Sequence, residues 1–280
     1  MIHEIALMTR EEQALLNEIL SREFGLHFPN GKRQILQSRL EPRLRELRLK
    51  RFLDYYLRLH CDLEGEREQL VRRVTNNETY FFREKAQFEA LFDLALDHLR
   101  TSPAQAGRLR ILSAGCSSGE EAYTLGIYAR QHRFRLGSTE VRVDAFDIDK
   151  ERLDLARGGE YSPRSLRALD PQRAGHYFRN PHEERFVLKE PFREGVSFRH
   201  GNIVDPDSFV PAGSYDALFC RNVLIYFSEE ATHRAIENFA RALRPGGLLF
   251  LGHSESIIGM TPRFETVRLG RCIAYRRTLR

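Results

Sequence analysis

The most constraining stretch of this chain is Leu109–Leu125, LRILSAGCSSGEEAYTL. A short apolar run turns through small residues, Ser113 to Gly119, and enters an acidic, helix-favouring segment. That order is the grammar of a strand, a tight turn and a helix N-terminus. Small side chains let a ligand approach the backbone, and glycines supply the φ angles such a turn needs. The dinucleotide fingerprint G-x-G-x-x-G is absent, and Glu120 and Glu121 follow Gly119 at once. Carboxylates at a helix start repel a pyrophosphate and suit a cationic or zwitterionic ligand. S-adenosylmethionine, with its ammonium, sulfonium and ribose, is such a ligand. A βα turn that holds nothing can have the same sequence, so the turn alone leaves both readings open.

The period of the chain changes near residue 108. Apolar runs at Leu109–Leu112, Val141–Phe146, Val196–Phe198, Ala217–Cys220 and Leu248–Leu251 alternate with helical patterns that run to about Gln131, from Lys150 to about Ala156, and over Glu229–Leu243. Alternating β and α predicts a mostly parallel sheet with helices on both faces. Phe264–Leu269 and Cys272–Tyr275, separated by Gly270-Arg271, predict a terminal antiparallel hairpin. Residues 161–195 break the alternation and read as an insertion.

The first 75 residues read as helices. Thr9 and Glu12 fit a capping box, and Leu15, Leu16, Ile19 and Leu20 follow at helical spacing. A second helix starts near Lys32 and carries Ile35, Leu36, Leu40, Leu44 and Leu47, with Pro42 expected to kink or divide it. Phe52–Leu59 and Glu66–Val74 are two further short helices. Between Gly31 and Arg58 nine basic residues face only Glu41, Glu46 and Asp54. This excess predicts a docking face for an acidic surface, with nucleic acid as the other candidate.

At 280 residues the chain can hold one large or two modest domains. Its composition is that of a soluble globular protein; no secretory signal and no spanning helix are expected. Cys61, Cys116, Cys220 and Cys272 form no C-x-x-C pair, and the ten histidines show no metal-ligand spacing, so neither zinc nor a disulfide framework is expected. That fits a cytoplasmic location. Hydrolase and NTPase motifs are missing too.

Several polar residues fall at predicted strand ends, where open α/β sheets bind ligands. Asp147 ends the second strand and is placed to accept from ribose hydroxyls, with Asp149 the better helix cap. Asn202 and Ile203 follow the third strand; Arg221 and Asn222 follow the fourth. In the linker TNNETYFFRE, residues 75–84, Phe81 and Phe82 read as a buried seam, and Asn77, Thr79 and Arg83 as contact residues.

TNNETYFFRE, LSAGCSSGEEAY, FDID, HGNI, LFCRNVLIYF and LRPGGLLFLGHSE, in this order, resemble a CheR-type chemotaxis receptor glutamate methyltransferase. The resemblance implies an α/β, Rossmann-like S-adenosylmethionine-dependent catalytic domain (108–280) with a small β-subdomain inserted at about 161–195. A linker and helix (76–107) and an all-α substrate-docking domain (1–75) precede it. It implies S-adenosylmethionine as cofactor, S-adenosylhomocysteine as product and the acidic methylation helices of a receptor as partner. Cofactor contacts then fall on Asn77, Thr79, Arg83, Glu121, Asp147, Asn202, Ile203, Arg221 and Asn222, with Arg83 and Tyr226 near the transferred methyl. In some members the β-subdomain grips a receptor's C-terminal pentapeptide. Here Arg179–Glu184 is short and lacks their glycine-rich loop, which argues against that tether. A monomer without direct membrane insertion is expected. The competing readings are a nucleic-acid methyltransferase and a non-catalytic cofactor-binding adaptor.

Overall fold

A computed structural model describes residues 5–61, 65–96, 107–182, 184–209 and 212–279. The chain forms two compact units, one built from the residues up to Asn76 with Tyr226–Thr232, the other from Asn77–Ile225 with His233 onward. The part of the expected linker helix that falls on residues 97–106 lies outside the described residues.

The first unit is helical. Helix α1 (Arg10–Phe24) opens with the expected capping box: Glu12 N donates to Thr9 Oγ1 at 3.1 Å, and Thr9 N donates to Glu12 Oε2 at 2.9 Å. Gly25 closes it in the left-handed conformation, φ 78°. Helices α2 (Arg33–Glu46), α3 (Phe52–Cys61) and α4 (Glu66–Val74) follow. Leu16, Ile19, Leu20, Leu36, Leu40 and Leu44 share a core with Phe52, Tyr55 and Leu59. Pro42 does not divide α2. It takes away the N–H that would serve Ser38 O, but both residues are exposed, so water can satisfy the freed carbonyl.

The basic stretch is less free than its composition suggests. Arg43 pairs with the fully buried Glu66 and with Glu46 at 2.9 Å. Arg39 donates to Val74 O, Arg45 pairs with Glu41, and Arg51 with Asp54. Arg43 is therefore a structural cation: it hydrogen-bonds a carboxylate in the core that Arg58 approaches only to 3.8 Å, and removing it would leave that carboxylate poorly paired.

In the second unit, β1 (Arg108–Ala114), β2 (Glu140–Asp147), the short β3 to β5 of the insertion, β6 (Val196–His200), β7 (Tyr215–Cys220), β8 (Leu243–Leu251), β9 (Phe264–Leu269) and β10 (Cys272–Arg277) make two sheets. The seven-stranded sheet has the order β6-β2-β1-β7-β8-β10-β9. Its first five strands are parallel, and β10 is antiparallel to both β8 and β9. The strand order reverses at β1, which puts a topological switch point at the carboxyl ends of β1 and β7. Helices α5 (Lys85–Glu89), α6 (Glu120–Gln131), α7 (Arg133–Leu136) and α8 (Lys150–Gly158) follow in chain order, and Ala90–Ala95 winds as a π-helix. Phe88, Phe219 and Phe250 stack through the core, with ring centroids 5.5 and 4.5 Å apart. Among the described residues no helix is long and apolar enough to cross a membrane.

The insertion is a three-stranded antiparallel sheet of β3 (Glu160–Tyr161), β4 (Phe178–His182) and β5 (Arg185–Leu188), with α9 (Pro171–Tyr177). Phe81, from the linker, is fully buried against Tyr161 and Phe178.

Removing Arg43 should show whether the basic stretch is partly architectural. Arg43→Ala is expected to lower the unfolding free energy by about 3 kcal/mol, and Arg45→Ala, which loses only an exposed pair, by less than about 0.5 kcal/mol. Urea unfolding followed by circular dichroism distinguishes the two; equally small losses would contradict the structural role.

Candidate active site

The turn after β1 is held by backbone bonds and one carboxylate. Gly115 N and Cys116 N both donate to Phe146 O, at 2.9 and 3.0 Å. Asp147 Oδ2 accepts from Ser117 N at 2.7 Å and Oδ1 from Asp149 N at 2.9 Å. Asp147 is buried, which pushes its carboxyl above the ordinary aspartate range despite those donors. Asp149 caps α8, as expected, and also accepts from Asn77 Nδ2 at 3.1 Å. Asn77 is thereby tied to the carboxyl end of β2.

Two glycines let neighbouring side chains pack directly onto the turn. A β-carbon on Gly115 would meet Val223 Cγ2 at 2.9 Å and Ile203 Cδ1 at 3.4 Å; on Gly119 it would meet Ala156 Cβ at 2.9 Å. Both glycines have φ above 80° or close to it, a region that side chains resist. Ile203 and Val223 therefore cover the turn from the loops after β6 and β7. Asn202 Oδ1 accepts from Val204 N at 3.1 Å, which shapes the first of these loops.

Glu121 and Arg221 bind each other. Arg221 Nε donates to Glu121 Oε2 at 2.6 Å, and Ser113 Oγ donates to Oε1 at 2.7 Å. Arg221 Nη1 also donates to Arg83 O at 2.8 Å. Its guanidinium lies over the Phe88 ring, 4.8 Å from the centroid. Glu120, beside Glu121 at the start of α6, accepts from Ser118 Oγ and Ser165 Oγ. Burial raises its pKa.

Arg83 Nη1 donates to Glu78 O at 2.7 Å, and its guanidinium stands 5.7 Å from the Tyr80 ring centroid. Thr79 is half-buried beside it in sequence. Tyr226 belongs to the helical unit, where its hydroxyl accepts from Asn76 Nδ2 at 2.6 Å and its carbonyl accepts from His27 N. The two residues expected near the methyl are thus carried by different units.

Among the described residues, two buried polar atoms have no hydrogen-bond partner here: Ser117 Oγ in the turn and Asn222 Oδ1 in the loop after β7. Buried polar groups are nearly always satisfied, so these two suit the hydroxyls or amine of a bound ligand. Together with the surrounding carboxylates, this fits S-adenosylmethionine.

One residue with a strong local role was not singled out from sequence. Glu255, at the end of GLLFLGHSE, accepts from the backbone N–H groups of Asn222, Val223, Ile225 and Gly252. Its signal was an acid three residues past a glycine at a strand end, a pattern too common to stand out alone. Ser117 was likewise hidden among small turn residues.

Comparison with known proteins gives a consistent result. Residues 77–273 match the description "CheR methyltransferase, SAM binding domain", and residues 11–75 match "CheR methyltransferase, all-alpha domain". The chain is 38% identical to chemotaxis protein methyltransferase 2 of Pseudomonas aeruginosa, over 89% of this chain and 88% of that one. It is 35% identical to chemotaxis protein methyltransferase 2 of Vibrio cholerae, over 90% and 87%. It is 34% identical to the chemotaxis protein methyltransferase of Escherichia coli, over 89% and 85%. The chain therefore belongs to the CheR methyltransferase family and is an S-adenosylmethionine-dependent protein-glutamate O-methyltransferase.

Proposed function

We propose that this chain methylates glutamates on the cytoplasmic helices of a chemoreceptor-type protein, using the carboxyl edge of its parallel sheet as cofactor site and its helical unit as substrate dock. The observation that carries the site is the pair of buried atoms without a partner among the described residues, Ser117 Oγ and Asn222 Oδ1, beside the glycine turn at the end of β1. When bound, S-adenosylmethionine supplies an electrophilic methyl on a sulfonium. Asp147 would hold the ribose, Asn202 and Ile203 would meet the base, and Asn77, Thr79, Arg83 and Asn222 would bind the remaining polar groups. Glu121 and Arg221 spend their best hydrogen bonds on each other. Their contribution is to fix the turn and to set its electrostatic balance.

The chemistry asks little of acid–base groups. A glutamate carboxylate is already ionised near neutral pH, with an unperturbed pKa of about 4.3, so no general base is needed. What remains is alignment of the carboxylate oxygen with the methyl, which is catalysis by orientation. Arg83 is suited to orient the carboxylate and Tyr226 to position it by one hydrogen bond. An over-tight ion pair with Arg83 would stabilise the ground state and slow transfer; its bond to Glu78 O moderates that pairing.

For docking, Lys32, Arg33, Arg48 and Lys50, with Arg39 held by the Val74 carbonyl, carry the basic charge that is not bound in ion pairs among the described residues. The strands β4 and β5 are separated by two residues only, which supports a dock that does not depend on a pentapeptide tether. A nucleic-acid partner is not favoured by any feature of the catalytic unit.

Three outcomes test this reading. Asp147→Ala should weaken S-adenosylmethionine binding by roughly 1–3 kcal/mol in calorimetry. The raised carboxyl also predicts a pH effect. The folded protein holds this proton more tightly than an unfolded chain, so protonation adds stability as pH falls through the raised value. Protonation also removes an acceptor, so cofactor affinity should fall in that same window; an affinity flat down to ordinary aspartate values would remove Asp147 from the site.

Tyr226→Phe should lower transfer to a receptor fragment by roughly 10- to 100-fold while cofactor affinity changes by less than about threefold, and Arg83→Ala should lower transfer by a larger factor than it weakens cofactor binding. Loss of binding in proportion to activity would contradict their placement near the acceptor.

Reversing Lys32, Arg33 and Lys50 to Glu should raise the KM for receptor and flatten its salt dependence, since exposed charges are screened over about 8 Å at physiological ionic strength. Cofactor affinity should not move. A triple variant with unchanged receptor KM at low salt would exclude this face.

A further inference from the structure

The loop after β7 is shaped by a carboxylate that the reaction itself does not call for. Glu255 Oε2 accepts from Asn222 N at 2.8 Å and Gly252 N at 2.6 Å; Oε1 accepts from Val223 N at 2.8 Å and Ile225 N at 3.4 Å. No ion pair to a lysine or arginine accompanies it among the described residues, so its charge is met by backbone dipoles. Asn222, at the centre of this arrangement, sits in the left-handed region, φ 60°, with Oδ1 buried and partnerless. Gly252 completes the fit: a β-carbon there would come within 2.7 Å of Asn222 Nδ2 and 2.8 Å of Glu255 Oε2.

We propose that Glu255 is a positioning residue for cofactor binding, which holds Asn222 in its left-handed conformation and so presents its side-chain amide to S-adenosylmethionine. The inference rests on the reading of Asn222 as a cofactor contact. The physical reason for a carboxylate is its lack of donors. A glutamine would turn an NH₂ group toward N–H groups on one side, leaving them unpaired. Buried donors without partners are costly, and the loop would relax away from the left-handed φ that this clamp holds. Glutamate is thus required for its four acceptor sites, not for proton transfer.

The test is a double-mutant cycle on the full chain, with S-adenosylmethionine titrated in a calorimeter. Glu255→Gln should raise the Kd roughly tenfold, the effect of losing one or two buried hydrogen bonds. At saturating cofactor, kcat should stay within about twofold and the receptor KM should be unchanged, a split that general damage to the fold does not produce. Asn222→Ala should weaken binding as well, and the double variant should be little weaker than the worse single one, because both act through one amide. Glu255→Asp, which keeps an acceptor-only carboxylate, should recover part of the lost affinity. If Asn222→Ala leaves the Kd unchanged, Asn222 is not a contact and the underlying reading fails. If Asn222→Ala weakens binding but Glu255→Gln does not, or if the two effects add in full, the reading of Asn222 survives and the positioning role of Glu255 is overturned. Should Glu255→Gln not fold, Glu255→Asp takes its place in the cycle: a raised Kd at unchanged kcat that is not additive with Asn222→Ala would support the role, and an unchanged Kd or full additivity would overturn it.

Discussion

The buried guanidinium of Arg221 is the interaction on which the site depends. From the end of β7 it reaches Glu121 on α6, the carbonyl of Arg83 in the linker and Gln87 on α5. Glu121 in turn accepts from Ser113 on β1. Four segments, of which the linker and α5 are neighbours in sequence, are therefore joined by one cation. A buried ion pair is a poor source of net stability, because desolvation offsets most of its attraction. Its value here is geometric. Once the apolar sheet has formed, the cheapest way to avoid an unpaired buried charge is to bring all four segments into one arrangement, and that arrangement is the rim of the cofactor turn.

The same rim is rich in acid. Glu120, Glu121, Asp147 and Glu255 are all largely withdrawn from water, and burial raises the pKa of Glu120, Asp147 and Glu255. Most of their hydrogen-bond donors are neutral backbone or hydroxyl groups. An edge built this way favours a ligand with positive charge and hydroxyls over one with phosphates. It also suits a reaction whose nucleophile arrives already ionised, because nothing at the rim has to shuttle a proton.

The regular framework was legible in the sequence because it follows from periodicity. The runs that became β1, β2, β7 and the terminal hairpin were long enough, and apolar enough, to declare themselves, and Thr9 and Glu12 marked the start of α1 by chemistry that acts locally. The motifs also carried the family. Less visible was the use each polar group finds after folding. Arg43 counts as surface charge in a tally of residues, yet it neutralises Glu66, some twenty positions later in the chain. Glu121 and Arg221 each look like ligand contacts until their partners, a hundred positions apart, are seen to be each other. Pro42 looked like a helix breaker because sequence does not say whether the carbonyl it orphans will face water. Pairing across the fold is the information that a linear reading lacks.

Backbone strain points back to function by a separate route. Among the described residues five non-glycine residues have left-handed φ, and four of them, Phe82, Glu84, Ser117 and Asn222, lie in the linker motif, the turn after β1 and the loop after β7. Phe82 is the least comfortable there, since a bulky side chain at positive φ is rare. Each such residue costs of order 1–3 kcal/mol and persists only where its surroundings over-determine it. The surroundings can be named: Phe82 N donates to Thr124 Oγ1, Ser117 N donates to Asp147, and Asn222 N donates to Glu255. In all three the strained residue is pinned through its own amide by a side chain from another element. A fold needs no such pins to bury its core. They make sense where backbone and side chains must stand ready for a ligand before it arrives, so that binding does not bear the cost of arranging them.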